Sequence, residues 1–558
     1  MNRLADETHF VAEVDVYFGN KEASMRKPIA TLVIERLHYT VPDSTDIIFR
    51  DASLHAALGK VALLGENGSG KSTLLSLIAG QISPFEGQIH LPASILLLEQ
   101  SIIGLATAWD VIGLRREADI IQSCLRGNGS AKDLEAADSL WTPWNDWLEI
   151  AAEFGFDEDS LGKPLTELSP GQKQRLLFVK ALIRDPDVLL LDEPTNHLDR
   201  EGREQVLSFI RNWKKALILA THDRELLEAV DAIVVLEQKR LRLFTGSYQE
   251  FEEDRRRIQA KREHDLQSAE QSLKKTLAVQ RQSLERQQKR SQRTAANSDK
   301  LGLPKILLGA RKENAENTSA KLAEKQTGKV EDAKQKRKDS QSLIIEAKMI
   351  AMDLPTSASV KGRMLIEAKG LNISFDGKNY LWTQDVDFCI KGGERWQIFG
   401  ANGSGKSSLL KLILGELPPS RGQMIRRDSL NIIYLDQELS LLDRKKTVLE
   451  NARRLATQDL TDSELGTRLA RVGLGGDNRF KLVTHLSGGE RMRLALACLF
   501  SASASPDLMI LDEPTNHLDL SSMQELESGF RDFKGALVLV THDRQFAEAV
   551  ACRNFLNL

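Results

Sequence analysis

The chain has 558 residues, 41% of them hydrophobic and 28% charged, and carries a formal net charge of −3. This length predicts two or three domains, while no apolar run approaches the ~20 residues that span a bilayer. The N-terminus lacks the basic-then-apolar order of a signal peptide, and the four scattered cysteines contain no CxxC pair, which excludes a disulfide framework and a zinc ribbon and predicts a cytoplasmic protein.

Residues 1–28 show no regular periodicity and are interpreted as an N-terminal extension, either an extra edge strand or a tail.

A first α/β domain is predicted over 29–252. After a strand at Val61–Leu64, the sequence GENGSGKST follows the pattern GxxxxGKS. Its glycines let backbone N–H groups surround phosphates, and the following helix adds its positive N-terminal end. A chance glycine turn is the alternative, but the flanking strand and helix favour a nucleotide triphosphate site.

Within this phosphate loop, Lys71 is predicted to neutralise β- and γ-phosphate oxygens, and the Ser72 hydroxyl is predicted to reach Mg²⁺. A later strand leads to Gln100, which is predicted to complete the Mg²⁺ shell and to sense the γ-phosphate. The candidate nucleotide-binding residues of the loop are Gly65, Asn67, Gly68, Ser69, Gly70, Lys71, Ser72 and Thr73.

Extra material within 101–165 follows Gln100 and includes Trp141, Trp144 and Trp147. Their spacing of three predicts that they share one helix face. Packing of a helical subdomain against its sheet is the favoured role, and a partner-binding surface is the alternative.

The signature segment LTELSPGQKQR places Ser169 and Gly171 at the start of a predicted helix, where they would bind a γ-phosphate. Pro170 between them suits the first turn of a helix but has no N–H to donate. Because the second copy of the segment has Gly488 at this position, the sequence predicts two unequal sites.

The motif DEPTNHLD follows the apolar run Val188–Leu191, which is too short for a helix and typical of a buried parallel strand. Its carboxylates would lie at the carboxyl end of that strand, where open α/β sheets bind their ligands. Asp192 is predicted to hold Mg²⁺ indirectly, and Glu193 to orient an attacking water. A strand at Ala216–Ala220 then ends in THDR, and its His222 is predicted to contact the γ-phosphate.

All of these motifs recur in a second α/β domain predicted over 361–558. The offset is 335 at the lysines (406−71), 318 at the signature serines (487−169) and 320 at the glutamates (513−193). One unit was therefore duplicated, and the first copy carries a small insertion. The second set of candidates comprises the catalytic residues Glu513 and His542, the metal-binding residues Ser407, Gln437 and Asp512, and the nucleotide-binding residues Gly400, Asn402, Gly403, Ser404, Gly405, Lys406, Ser407, Ser408, Ser487, Gly488 and Gly489.

A charged helical linker is predicted over 253–360. Between Arg255 and Ser340 it contains 23 basic and 11 acidic side chains, and within Lys274–Lys312 the counts are 11 and 2. Glycine and proline interrupt the helical pattern, so two helices are expected to form a hairpin with its tip at about 297–312. Leucines at intervals of 7, 4 and 7 predict a sparse coiled-coil seam: Leu266, Leu273, Leu277 and Leu284.

Taken together, these motifs resemble those of ATP-binding cassette ATPases with two cassettes in one polypeptide. More narrowly, the chain resembles the ABC-F family, whose members share the DEPTNHLD form and a charged helical linker. The resemblance covers nearly the whole chain beyond residue 28. It implies two P-loop NTPase domains, ATP hydrolysis to ADP and phosphate, and a monomer whose cassettes pair head to tail.

In that arrangement each ATP lies between the phosphate loop of one cassette and the signature segment of the other. The first site would combine Gly65–Thr73, Gln100, Glu193 and His222 with Ser487–Gly489. The second site would combine Gly400–Ser408, Gln437, Glu513 and His542 with Ser169–Gly171. Tyr39 and Phe375 match the adenine-stacking aromatics of the family, although an aromatic at a strand end is often part of the core.

The positive charge of the linker indicates which class of partner it would bind. A solvated spacer is one interpretation, but a positive excess concentrated near the tip favours the phosphate backbone of a nucleic acid. The resemblance implies RNA, because ABC-F proteins place this linker in the tRNA exit site of the ribosome, with the tip towards the peptidyl-transferase centre and the P-site tRNA. A ribosome-associated ATPase that contacts rRNA and tRNA is therefore expected. The long linker and small insertion favour antibiotic protection over a housekeeping elongation role, without deciding between them.

Two other functions compete with this one. The ATPase subunit of a membrane transporter would leave the basic hairpin without a role. A DNA-handling ATPase of the repair or chromosome type would carry zinc-binding cysteine pairs or a much longer coiled coil, and the sequence contains neither.

Overall fold

The computed structural model describes residues 30–42, 47–98, 106–196, 198–298, 327–338, 362–456, 460–502, 506–516 and 518–558. Gln100, the predicted extension 1–28 and nearly all of the predicted linker tip lie outside these ranges. The chain divides into two compact units, one formed by Met1–Tyr248 with Met352–Leu558 and the other by Gln249–Ala351. The domain limits taken from the sequence stay predictions.

The first cassette is built on uninterrupted apolar runs, because parallel strands covered on both faces need no polar side. Its strands are β1 (Thr31–Thr40), β2 (Ile47–Ala57), β3 (Lys60–Gly65), β4 (Glu86–His90), β5 (Ile95–Leu98), β6 (Val188–Asp192), β7 (Ala216–Ala220), β8 (Ala232–Glu237) and β9 (Arg240–Thr245).

These strands form two sheets. The central sheet has the order β5-β6-β7-β3-β8-β9, with parallel pairing except between β8 and β9. A three-stranded antiparallel sheet has the order β2-β1-β4. The phosphate loop follows β3, DEPTNHLD follows β6 and THDR follows β7, so the three motifs meet at the carboxyl ends of neighbouring strands.

The helices of the first cassette lie between these strands, and those within 106–161 lie in the region that contains the inserted residues. They are α1 (Lys71–Ile78), α2 (Ala108–Ile112), α3 (Arg115–Leu125), α4 (Ala131–Glu153), α5 (Glu158–Leu161), α6 (Pro170–Arg184), α7 (Arg200–Asn212) and α8 (Arg224–Leu227).

The tryptophans of the insertion have different environments. Trp144 is buried and stacks on Trp109 with ring centroids 4.9 Å apart, and Trp147 meets Trp144 edge-on. Trp141 is 38% exposed. The prediction of one shared face is therefore wrong for Trp141, because three residues spaced by three spread over about 120° of a helix with 3.6 residues per turn.

The smaller unit contains most of one long helix. This helix, α9 (Tyr248–Ser298), has 51 residues and a length of about 76 Å at 1.5 Å per residue. Residues 327–338 are also helical and lie beside α9, since the Arg337 guanidinium is 3.9 Å from the Glu270 carboxylate. Leu273 is buried, but Leu277 is 42% exposed, so the predicted leucine seam is wrong at that position.

The second cassette repeats the first. Its strands are β10 (Met364–Asn372), β11 (Val386–Lys391), β12 (Arg395–Phe399), β13 (Arg421–Arg426), β14 (Ile432–Leu435), β15 (Leu508–Asp512), β16 (Ala536–Val540) and β17 (Asn554–Asn557). Its helices are α10 (Lys406–Leu414), α11 (Val448–Leu455), α12 (Asp462–Arg471), α13 (Gly488–Ala502), α14 (Leu520–Asp532) and α15 (Arg544–Ala549).

The order β14-β15-β16-β12-β17 reproduces β5-β6-β7-β3-β8 of the first cassette. Each cassette has its own apolar core between its central sheet, its antiparallel sheet and the helix that follows the phosphate loop. The predicted class, two tandem α/β domains of one topology, is confirmed.

Candidate active site

Each phosphate loop requires glycine where it turns into its helix. Gly70 has φ 101° and Gly405 has φ 95°, in the left-handed region. A Cβ at Gly70 would lie 2.3 Å from a methyl of Ile48, and one at Gly405 would lie 2.6 Å from Leu381. The loops therefore fold only with glycine at these positions, and this leaves backbone N–H groups free of side-chain cover.

Both loop lysines fold back onto their own loops. Lys71 Nζ donates to the Gly65 carbonyl at 2.9 Å and to His222 Nε2 at 2.8 Å. Lys406 Nζ donates to the Gly400 carbonyl at 2.7 Å. Burial lowers the pKa of Lys71, and the Glu193 and Asp519 carboxylates oppose that shift. A carbonyl lacks the negative charge of a phosphate, so a triphosphate would replace these contacts with stronger ones.

Two orphaned hydroxyls support a phosphate at each loop. The Ser69 and Ser404 Oγ atoms are buried and have no hydrogen-bond partner among the described residues. A buried hydroxyl without a partner costs stability. Bound phosphate oxygens would satisfy both hydroxyls, which fits the predicted role of the two loops.

The two candidate catalytic glutamates share an unusual backbone. Glu193 and Glu513 have φ values of 44° and 47°, a conformation that costs a non-glycine residue about 1–3 kcal/mol. Their N–H groups donate to Ala220 and Val540, both at 2.8 Å, which continues the parallel ladder past the strand end. Strain retained in both copies of a duplicated unit indicates that the direction of the side chain matters.

Burial governs the titration of the glutamates and of the histidines beside them. In each cassette the histidine Nε2 lies 3.5 Å from the glutamate Oε1. Burial raises the pKa of Glu193 and of Glu513 to about 7. Burial also lowers the pKa of His222 to about 3 and that of His542 to about 4. Both histidines are therefore neutral at physiological pH and act through hydrogen bonds rather than charge.

The candidate metal ligands are oxygen atoms around each loop. Asp192 and Asp512 end β6 and β15, and Ser72 and Ser407 stand in the first turns of α1 and α10. In the second cassette the Tyr434 hydroxyl is 3.5 Å from Asp512 Oδ2. Within the described ranges, no three His, Cys, Asp or Glu side chains are grouped to hold a metal. The residues fit Mg²⁺, which takes few protein ligands and completes its shell with water and substrate phosphate.

Both signature serines cap helices. Ser169 accepts from the Gln172 N–H at 3.2 Å, and Ser487 accepts from the Glu490 N–H at the same distance. Pro170 occupies the first turn of α6 without disturbing this cap. Gly171 has open space around its Cα, whereas a Cβ at Gly489 would lie 2.3 Å from the Ser522 hydroxyl.

A cavity of about 490 Å³ lies between the cassettes. Asn67, Glu193 and His222 of the first cassette line it together with Gly488 of the second, and Glu513 lines it as well. Some of the residues predicted for the first site are thus brought together across the cassettes, and Gln437 also lines this space. Among the described lining residues, Ser169 and Gly171 of the second site are not included.

Two residues in contact with the phosphate loops escaped the sequence analysis. Asp519 Oδ2 accepts from the Asn67 N–H at 3.4 Å, and Asp199 Oδ2 accepts from the Asn402 N–H at 3.2 Å. The other oxygen of each aspartate caps the helix of its own cassette. The final Asp of the repeated DEPTNHLD motif was the available signal, but it predicts only the cap and not the contact across the cassettes.

The two candidate adenine-stacking aromatics differ in exposure. Tyr39 is partly buried against the core of the first cassette, while Phe375 is 72% exposed. Phe375 is therefore free to stack on a base, whereas Tyr39 also serves as packing.

Comparison with known proteins gives a consistent result. The family model described as "ABC transporter" matches residues 49–196 and 383–516. The chain is 31% identical to the probable ATP-binding protein YheS of Escherichia coli K12, over 87% of this chain and 72% of that protein. It is 29% identical to ABC transporter F family member 4 of Arabidopsis thaliana, over 90% and 70%.

Solved structures extend the likeness in fold. One is a complex of archaeal ribosomal stalk protein aP1 with the archaeal ribosome recycling factor aABCE1, with TM-score 0.50, 18% identity and coverage of 94% of this chain and 87% of that chain. Another is a model of ribosome-bound archaeal Pelota and ABCE1, with TM-score 0.51, 17% identity and coverage of 92% and 74%. At these identities the likeness concerns the fold alone.

Proposed function

The chain belongs to the ATP-binding cassette family and to its F branch, and from this premise we propose that it is a ribosome-binding ATPase that modulates translation. Its cassettes bind and hydrolyse ATP. The cavity that joins Glu193 and His222 of one cassette to Gly488 of the other carries the proposal, because hydrolysis there requires the two cassettes to be together.

The residues of the first site divide the chemistry among them. Backbone N–H groups of the phosphate loop and Lys71 would bind the phosphates and neutralise their charge. Glu193 would orient the attacking water and accept its proton. His222, neutral at physiological pH, would hydrogen-bond the γ-phosphate. The second site would use Lys406, Glu513 and His542 in the same roles.

Mg²⁺ is proposed as the metal of both sites. Ser72 and Asp192 would hold it in the first site, with Ser407, Gln437 and Asp512 in the second. When bound, the ion offsets the charge that develops on the phosphate oxygens. Gln100 is the predicted ligand that corresponds to Gln437.

The charge of the linker supports a nucleic acid partner. Its net charge of +12 over 255–340 (23−11) leaves −15 for the rest of the chain. Basic helices bind phosphate backbones through counterion release. One structural neighbour is a ribosome recycling factor in complex with a ribosomal stalk protein, and another is ABCE1 in a ribosome-bound state. Ribosomal RNA and tRNA are accordingly the proposed partners, with a cytoplasmic monomer as the acting form.

The alternatives have less support. None of the described helices is long and apolar enough to cross a membrane. In a transporter ATPase subunit the basic linker would have no role. In a DNA-handling ATPase the same positive charge would bind the phosphate backbone of DNA instead of RNA. The ribosome experiment separates the three.

The test is co-sedimentation of the Glu193→Gln, Glu513→Gln protein with purified ribosomes, with ATP or ADP. We expect ATP-dependent binding, because the variant would keep ATP between closed cassettes. Reversing the exposed linker residues Lys274 and Lys275 to Glu should weaken binding, while reversing the exposed cassette residues Lys378 and Lys534 should not. No binding at low or moderate salt would overturn the ribosome proposal, and duplex DNA would then be tested.

Protection of the ribosome against an antibiotic is the proposed specific role. Translation by purified ribosomes would be measured with a bound peptidyl-transferase inhibitor, with and without the wild-type protein and ATP. Restored synthesis supports protection. An unchanged inhibition curve beside normal ribosome binding would favour the housekeeping role instead.

A further inference from the structure

The helices that follow the two DEPTNHLD motifs, α7 and α14, occupy equivalent places but differ in charge. With the offset of 320, Arg203 of α7 corresponds to Met523 of α14. Both side chains line the cavity between the cassettes. At this position the first cassette therefore has a cation and the second cassette has an uncharged side chain.

Arg203 lies among the second cassette's catalytic groups. Its side chain is 18% exposed, and its Nη1 is 3.5 Å from Asp223 of its own cassette. Its buried Nε has no hydrogen-bond partner among the described residues, and Glu513 Oε1 also has no hydrogen bond there, with His542 Nε2 3.5 Å away. Both residues line one cavity with Asp543. The Arg203 guanidinium, which has a donor without a hydrogen bond, therefore lines the same cavity as a Glu513 oxygen that can accept one.

The charges near the two glutamates differ accordingly. The Arg203 guanidinium and the ammonium group of the loop lysine Lys406 are positive charges that act on the Glu513 carboxylate. A positive charge that acts on the Glu193 carboxylate is that of Lys71 in its own cassette. A loop lysine is expected to turn to the phosphates once nucleotide binds. Glu513 then keeps a cation from the other cassette, whereas the position equivalent to Arg203 in the second cassette is the uncharged Met523.

We propose that Arg203 is a positioning residue supplied by the first cassette to the second ATP site, where it holds the Glu513 carboxylate beside the attacking water. This inference rests on the proposed role of Glu513 as the base. It makes hydrolysis at the second site depend on docking of the first cassette, and it gives the two sites different requirements.

Single-site enzymes test this assignment. Glu193→Gln leaves the second site to be measured, and Glu513→Gln leaves the first. In the Glu193→Gln background, Arg203→Met should lower kcat about tenfold, which corresponds to ~1.4 kcal/mol of transition-state stabilisation, with KM for ATP within about twofold. In the Glu513→Gln background the loss should be below about twofold.

Two further variants separate charge from packing. Arg203→Lys keeps the cation and should recover part of the lost kcat, although it lacks the planar fork. Arg211→Met, at the exposed end of the same helix, should leave kcat unchanged in both backgrounds.

Equal losses in both backgrounds, or no loss at the second site, would overturn the role of Arg203. Substantial turnover in the Glu193→Gln, Glu513→Gln protein would overturn the general-base assignment and this inference with it. Loss of turnover there, beside equal effects of Arg203→Met, would remove the inference alone.

Discussion

At the residue scale, each candidate catalytic glutamate combines a buried carboxylate with a backbone in the left-handed region. Asp-Glu after a buried strand predicted the place of Glu193. Its positive φ depends on the next strand, because the Glu193 N–H stays bonded to Ala220 while the chain turns away. This backbone strain results from hydrogen bonding to a neighbouring strand, so it cannot be predicted from the local sequence.

Replacing both glutamates tests their proposed role. Glu193→Gln with Glu513→Gln keeps the shape of each side chain but removes the proton acceptor. ATP binding should persist, and the ATPase rate should fall by about 100-fold or more. Filter binding and phosphate release measure the two quantities. An unchanged rate would refute the base assignment.

The neutral state of His222 predicts a pH effect on stability. Its folded pKa of about 3 lies below the unfolded value of about 6.5. Stability from this group is therefore complete above pH 6.5 and is lost as the pH falls towards 3. At pH 5.5 the loss is about 1.4 kcal/mol, because only the unfolded chain takes up the proton.

This loss is measured against His222→Gln by urea unfolding at pH 7.5 and 5.5. Other titrating groups act equally on both proteins, so acidification should destabilise the wild type more than the variant. Equal losses would show that His222 is charged, or charges freely, in the folded protein.

At the element scale, uninterrupted apolar runs predicted the central strands well. The run Ala216–Ala220 has the observed limits of β7, and β6 extends its predicted run by one residue. The residue spacing gave a wrong prediction on α4, where tryptophans three residues apart were expected to share one face of the helix. Trp144 packs on Trp109 while Trp141 faces solvent, because partners from another helix decide which part of a surface is covered.

The insertion offers a matched pair of substitutions. Trp144→Ala removes a buried stacked ring and should destabilise the first cassette by about 3–5 kcal/mol. Trp141→Ala, three residues away on the same helix, should change stability by less than about 0.5–1 kcal/mol. Thermal and urea unfolding provide the measurement. Similar losses from both would mean that Trp141 is covered by a partner or by packing that the structure does not show.

At the scale of the whole molecule, duplication was visible in the repeated order of the motifs, with an offset of 320 at both DEPTNHLD and THDR, but the asymmetry of the pairing was not. Arg224 of the first cassette binds Glu527 of the second at 2.7 Å, and both side chains are nearly buried. Their positions differ by 303 residues. The counterpart of Glu527 is Leu207 (527−320), so the reverse pair cannot form. Complementary residues so far apart become recognisable only once the cassettes are placed together.

This ion pair predicts how the cassettes stay together. Burial raises the pKa of Glu527, and Arg224 opposes that shift, so Arg224→Leu would leave a buried carboxylate unpaired. Such a loss costs about 3–5 kcal/mol. The double variant Arg224→Leu, Glu527→Leu removes both charges and should be less destabilised than either single variant.

The control is Arg544→Leu, the equivalent arginine of the second cassette. Arg544 pairs with Glu548 of its own helix, and both side chains are exposed, so its loss should cost less than about 1 kcal/mol. Urea unfolding of the full chain, followed by tryptophan fluorescence, would measure all four variants. If Arg544→Leu is as damaging as Arg224→Leu, or if the double variant shows the sum of the single losses, then the buried pair does not hold the cassettes together. The predicted pattern, in contrast, would show that the Arg224–Glu527 ion pair stabilises the contact between the cassettes. Because the reverse pair cannot form, this contact distinguishes the first cassette from the second.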